Sequence, residues 1–310
     1  MQAPASSPTR STTDVPFTGI MPAMTTPFHR DSTVDHPHLA EHCRWLLEHG
    51  ASSLVPLGSL GEGATLGHDE KRAVLETCVR AAAVPIVAAI AGLATAEAVM
   101  LAKDAQRIGC RGLMVLPPYV YSTDWREMKA HVATVLGATE LPCMLYNNPI
   151  AYKTDFAPHQ IAELAREFPH LRAVKESSTD VRRVTALRAI LGDRLEIAVG
   201  VDDAIVEGID AGATGWVAGL VNAFPAETLL LFRHAAEGRK KEALALYRWF
   251  LPLLRMDTVT KFVQLIKLAQ EKVGHGSSRV RPPRLALEGD ELALALATID
   301  HALETRPRVA

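Results

Sequence analysis

Short apolar runs recur along the chain, separated by longer stretches in which apolar positions return every three or four residues. The short runs are "GIMPAM" near 19, "SLVPL" at 53–57, "PIVAAI" at 85–90, "GLMVL" at 112–116, "PCMLY" at 142–146, "RAVK" at 172–175, "EIAVG" at 196–200 and "GWVAG" at 215–219. Their length and β-branched content predict strands buried on both faces, as in a parallel sheet. The longer stretches predict helices. Leu39, Cys43, Leu46 and Leu47 form one apolar stripe that Gly50 ends, and Val181, Val184, Leu187 and Leu191 form another. One junction occurs three times, as "GASSLV" from Gly50, "GCRGLM" from Gly109 and "GATGWV" from Gly212. In each, a glycine is positioned to stop a helix in the left-handed region before the next strand begins.

Eight such strands within about 200 residues predict an α/β protein of the (β/α)8 TIM barrel class, here spanning residues 18–222. The rival is an open doubly wound sheet, but no G-x-G-x-x-G follows the first strand. After 222 the pattern turns helical, in "AETLLLFRHAAEG", "KKEALALYRWFLPLLR", "TVTKFVQLIKLAQEKVG" and "DELALALATIDHALE". Residues 223–310 are therefore expected to be additional C-terminal helices packed on the barrel. Residues 1–17 are expected to be a disordered tail, since "MQAPASSPTRSTTDV" is polar and lacks the apolar centre of a secretion signal.

Composition narrows the function. Of 310 residues, 48% are hydrophobic and 22% charged, so a sizeable core is available. A net charge of −2 gives no electrostatic reason to expect nucleic acid or an anionic membrane as partner. The basic "RVRPPR" at 279–284 reads as a solvated loop. No apolar run reaches the length of a membrane span. Cys43, Cys78, Cys110 and Cys143 are far apart and sit in apolar settings, which fits buried thiols in a reducing cytoplasm.

A barrel carries its chemistry at the C-terminal ends of its strands. Three of these ends hold polar groups that packing does not require. "LGSLGEG" follows the second strand, where Gly58 and Gly61 let backbone N–H groups approach a carboxylate. An ordinary strand-to-helix turn would read the same way. "LYNNP" follows the fifth strand and brings Tyr146 to the mouth. "VKESS" follows the sixth, and strand alternation puts Lys175 and Ser177 on one face with Glu176 opposite. Desolvation disfavours an ammonium ion, so a lysine ending a core strand becomes a neutral amine more readily. Such an amine attacks a ketone or imine to form a Schiff base, and a tyrosine across the pocket can carry the protons.

Taken together, "GSLGE", "YNNP" and "VKESS" resemble the dihydrodipicolinate synthase / N-acetylneuraminate lyase superfamily, over nearly the whole chain from Gly19 onward. The resemblance implies a barrel with added C-terminal helices, a homotetramer as a dimer of dimers, and a 2-oxo acid or cyclic imino acid as substrate. It implies that Lys175 forms the imine and that Tyr146 shuttles protons, with no cofactor and no metal. It further implies a substrate-binding set of Ser59, Leu60, Tyr119, Asn148, Ser177 and Val217. Ser59 and Leu60 match the carboxylate-holding loop, where Leu60 lacks the hydroxyl that a proton relay through that position needs. Tyr119 matches the aromatic that reaches in from a neighbouring subunit in the synthases. Those enzymes clamp a second carboxylate with an arginine shortly after Y-N-x-P. Here that place holds Ala151, and Lys153 is out of register.

"GSLGE", "YNNPIAYKTD" and "KESSTDVRR" are most similar to the subgroup of 1-pyrroline-4-hydroxy-2-carboxylate deaminases of hydroxyproline breakdown. Beside it stand a dihydrodipicolinate synthase-like enzyme, disfavoured by Ala151, and three further alternatives. One is an aldolase or dehydratase acting on a sugar-derived 2-oxo acid. Another is a non-catalytic barrel that senses such an acid. The third is a metal-dependent aldolase using His38 and His42, against which "DHPHLAEH" reads equally as a helix start capped by Asp35 with Pro37 in its first turn.

Overall fold

The computed structural model describes residues 17–118 and 124–308. Seven parallel strands form one sheet: β1 (Gly19–Pro22), β2 (Val87–Ile90), β3 (Gly112–Val115), β4 (Cys143–Asn147), β5 (Leu171–Glu176), β6 (Glu196–Val199) and β7 (Gly215–Ala218). Their order is β1-β7-β6-β5-β4-β3-β2. The two edges are joined by the predicted strand at 53–57, which makes isolated parallel bridges from Val55 to Ala23 and from Leu54 to Ile86. Val55 N donates to Pro22 O and Val87 N to Leu54 O, so a short eighth segment closes the ring. It is too short to register as a full strand because Pro56 follows and Leu57 takes a left-handed φ of 68°.

Helices alternate with the strands and cover the outside. The stripe predicted from Leu39 becomes α1 (His36–Glu48), with Leu39, Cys43 and Leu46 buried and the Asp35 side chain accepting from His38 N as its cap. The Val184 stripe becomes α7 (Arg182–Leu191). The three junction glycines have φ of 100°, 105° and 106° at Gly50, Gly109 and Gly212, a conformation other residues adopt only at a cost. All four cysteines are buried and free.

Two boundaries shift from expectation. Phe17, assigned to the tail, is fully buried and packs against the floor of the barrel near Gly112. Helix α9 (Pro225–Ala236), assigned to the extension, follows β7 and packs on β1, which makes it the last helix of the barrel's outer layer. The appended helices begin with α10 (Lys240–Leu254) and continue through α11 (Phe262–Lys272) and α12 (Gly289–Glu304). Among the described residues no helix is long and apolar enough to cross a membrane.

One ion pair fastens the extension to the barrel mouth. Lys267 of α11 is 1% exposed, and its Nζ lies 2.9 Å from Glu62 Oε1 and 2.9 Å from Thr26 O. Glu62 Oε2 accepts from Arg281 N at 3.0 Å. Phe28 covers the lysine, with Nζ 4.5 Å from its ring centroid. Breaking one half of a buried pair strands the other charge without solvent. Lys267→Met is therefore expected to lower the unfolding free energy by about 3–5 kcal/mol, read from urea denaturation. A loss under about 1 kcal/mol would mean that solvent reaches Glu62.

Candidate active site

Strand register brings the two predicted catalytic residues together. Tyr146 of β4 pairs with Lys175 of β5, and Lys175 pairs with Ala198 of β6. Paired residues in a parallel sheet point to the same side, so the phenol and the amine both enter the barrel. Lys175 Nζ sits 4.3 Å from the centroid of the Tyr146 ring. Both are nearly buried, at 6% and 5% exposed. Ser177 shares the inner face, while Glu176 turns outward to Ser178 N and Asn147 Nδ2. This is the alternation expected from "VKESS".

The inward path of the lysine depends on a glycine. A Cβ added at Gly200, at the end of β6, would lie 2.0 Å from Ser177 Oγ and 2.5 Å from Lys175 Cε. The lysine therefore leans across β6 through space that any other residue would fill. Val217 belongs to the same inward set, because Ala198 pairs with Gly215 two residues before it, and it is buried.

Burial controls the titration of this cluster. It lowers the Lys175 amine to about 8, opposed by the charges of Asp257 and Asp202. Tyr146 is raised above its ordinary value, chiefly by burial, while Asn148 Nδ2 donates to its oxygen at 3.0 Å. The Ser177 and Ser59 hydroxyls face the same phenol. Asp202 is pushed up to about 6 by burial, although Trp216 Nε1, Gly219 N and Leu220 N all donate to it.

The carboxylate loop is built differently from expectation. Gly61 and Gly63 serve the loop's own packing: an added Cβ would meet Met24 O at 2.8 Å and Leu57 O at 2.0 Å. At Gly58 an added Cβ would meet only the side chains of Met114 and Ala89, at ordinary contact distance. Leu60 is buried at 3% exposed, so its side chain belongs to the core and only its backbone is available to a ligand. Among the described residues, no backbone carbonyl accepts from the N–H groups of Ser59 or Leu60. That leaves two donors for an anion. Ser59 Oγ hydrogen-bonds Tyr152 Oη while also facing Tyr146, so one hydroxyl joins the two phenols without position 60. The rings of Tyr146 and Tyr152 meet edge to face, 5.7 Å apart.

Three residues of this site escaped sequence reading. Tyr152 lies in "YNNPIAYKTD" but carried no separate signal. Asp202 ends "VGVD" after the seventh predicted strand, and the strand-end rule applied to Lys175 would have found it. Asp257 comes from the C-terminal extension, where no local pattern marks it. Asn148 joins the site as expected, capping the short helix α5 (Pro149–Tyr152) through Ala151 N. Tyr119 lies outside the described residues. His42 is tied to Asn222 at 2.8 Å, and among the described residues no cluster of His, Cys, Asp or Glu could hold a metal ion.

A buried amine and a phenol beside a loop with unpaired N–H groups can form an imine and move protons along a substrate. With the amine at about 8, about one-tenth is neutral at pH 7. Borohydride trapping of a 2-oxo acid on Lys175 should then speed up about tenfold per pH unit below 8 and level off above it. A rate independent of pH from about 6 to 9 would contradict this setting. Gly200→Ala should abolish trapping while the protein stays folded by circular dichroism, since the methyl group and the lysine stem compete for one space.

Residues 16–302 match the sequence profile of the dihydrodipicolinate synthetase family. The 4-hydroxy-tetrahydrodipicolinate synthase of Rhizobium meliloti is 31% identical over 290 residues, covering 92% of this chain and 98% of that protein. The enzyme of the same name from Haloarcula marismortui is 31% identical over 293 residues, covering 93% and 95%. Among solved structures, the dihydrodipicolinate synthase of Acinetobacter baumannii complexed with pyruvate superposes with a TM-score of 0.88 at 26% identity, covering 93% of this chain and 99% of that one. The 4-hydroxy-tetrahydrodipicolinate synthase of Methylacidiphilum fumariolicum gives a TM-score of 0.87 at 26% identity, covering 93% and 97%. Strand register, the buried lysine–tyrosine pair and the extent of these matches agree that the chain belongs to the dihydrodipicolinate synthetase family.

Proposed function

We propose that this protein is a Schiff-base-forming deaminase that opens 1-pyrroline-4-hydroxy-2-carboxylate and releases 2,5-dioxopentanoate and ammonia. The observation that carries this reading is Ala151. The synthases of this family clamp the second carboxylate of their product with arginine at that place. Here α5 offers a methyl group, and its N–H is spent on Asn148 Oδ1. The neighbouring Tyr152 turns to Ser59 instead of outward. Without a guanidinium at position 151, a monocarboxylate bearing a hydroxyl and a ring nitrogen suits the site better than a diacid.

The chemistry follows from the cluster. The ring imine carbon, C2, is attacked by the neutral Lys175 amine, and a proton reaches the ring nitrogen as the C2–N bond breaks. The result is an open-chain imine on Lys175 with a free amine at C5. The iminium acidifies C3, which loses a proton, and the C4 hydroxyl departs as water. Proton shifts move the unsaturation to C5, giving an imine there. Water then hydrolyses both imines, freeing ammonia and Lys175. Tyr146, linked through Ser59 to Tyr152, carries the protons near C2 and C3.

A second reading is favoured by the shared name of the curated relatives, 4-hydroxy-tetrahydrodipicolinate synthase. It requires pyruvate and an aldehyde acceptor. Incubation with the cyclic imine is expected to release ammonia in wild type and none in Lys175→Ala. Consumption of pyruvate in the presence of an aldehyde, without ammonia from the cyclic imine, would instead establish the synthase.

A further inference from the structure

A glycine directly follows each of β6 and β7, Gly200 and Gly219, and each makes room for a different acid–base group. Lys175 crosses Gly200. Over Gly219 lies the carboxyl group of Asp257, which reaches the mouth from a short 3-10 turn (Arg255–Thr258) between α10 and α11. A Cβ added at Gly219 would stand 2.1 Å from Asp257 Oδ1 and 2.7 Å from its Cγ. The carboxyl therefore rests directly on the backbone of a strand end. Of the charges acting on Lys175, Asp257 ranks ahead of Asp202.

Its surroundings differ from those of Asp202. Asp202 is saturated by three donors and serves the turn after β6. Among the described residues, none donates a hydrogen bond to Asp257. Arg255, on the same turn, reaches Asp203 at 3.6 Å rather than Asp257. A half-buried carboxyl at the mouth that no described residue hydrogen-bonds is free to contact substrate. Tyr146 stands on the β4 side of Lys175 and Asp257 over β7, so two proton carriers flank the amine.

We propose that Asp257 is a further catalytic residue, the acid that protonates the hydroxyl leaving C4. The inference rests on the deaminase reading above and adds a donor to a step that reading leaves without one. When C3 of the Lys175-bound imine loses its proton, the electron pair forms the C2=C3 enamine. The enamine electrons then form C3=C4 as the C4–O bond breaks. The departing oxygen takes the Asp257 proton and leaves as water, and the Asp257 carboxylate recovers a proton from solvent. Burial, then the charge of Asp202, holds this carboxyl well above the usual carboxylate range, with Lys175 acting in the opposite direction and Asp203 adding to the rise. That shift favours the protonated carboxyl a donor needs, in exchange with the charged form that acts on Lys175. Hydroxide is a poor leaving group, and a positioned general acid is worth about 10²–10⁴ in rate.

The test uses the full-length protein and two variants, Asp257→Asn, which keeps the shape, and Asp257→Ser, which keeps the space. Ammonia release from the cyclic imine should fall at least about 100-fold in both. Borohydride should still trap substrate on Lys175, and the trapped adduct should be heavier by one water than the dehydrated species trapped in wild type. Wild-type turnover in Asp257→Asn overturns the assignment. So does loss of the adduct in both variants with folding retained, which makes Asp257 a partner of Lys175 and not a proton donor to substrate. Failure of wild type itself to release ammonia overturns the deaminase reading, and this inference with it.

Discussion

The site depends on keeping an amine dry. Water stabilises an ammonium ion strongly, and a barrel interior does not, so Lys175 is held where its charged form is disfavoured. Two nearby carboxyl groups, Asp257 and Asp202, limit the penalty without abolishing it. The amine stays close enough to neutrality to act as a nucleophile, yet the protein tolerates it as a buried residue. Each carboxyl is itself pushed toward its neutral form by the same burial. The three groups share one desolvated space and restrain one another.

That space exists because two strands are followed directly by glycine. Gly200 admits the lysine stem and Gly219 admits Asp257. Tyr146 then closes the other flank, with its ring against the amine and its oxygen fixed by Asn148. The carboxylate loop lies between β1 and β2, across the barrel from Lys175. It is held from behind by the Glu62–Lys267 pair, which is deeply buried. Glu62 and Leu57 both take left-handed backbone conformations, costing on the order of 1 kcal/mol each. The charge pair and the Arg281 N–H fix Glu62 in that state. The appended helices thus brace the loop that carries Glu62 and supply Asp257, besides covering the barrel.

The alternation of apolar runs and stripes was sufficient to read the barrel from the sequence. Seven of the eight short runs form strands and the eighth forms bridges, and the three left-handed glycine junctions and four C-terminal helices occur where the pattern indicates. So do the lysine and tyrosine at strand ends, since a polar group in a core strand has few reasons to be there. These features are local: period, breaker residues and strand polarity operate within about ten residues, and they survive folding unchanged.

What the tertiary structure decided is distance between residues remote in sequence. Register alone sets Tyr146 beside Lys175. Chain closure brings Asp257 over Gly219 and Lys267 under Glu62, across separations that leave no trace in local pattern. The hydrogen bond between Ser59 and Tyr152 follows from where two loops meet. The shortness of the eighth strand and the role of α9 in the barrel wall were likewise settled by packing. A sequence specifies which side chains are chemically able. The fold specifies which of them share a dielectric, and a buried amine is reactive or inert according to that shared environment.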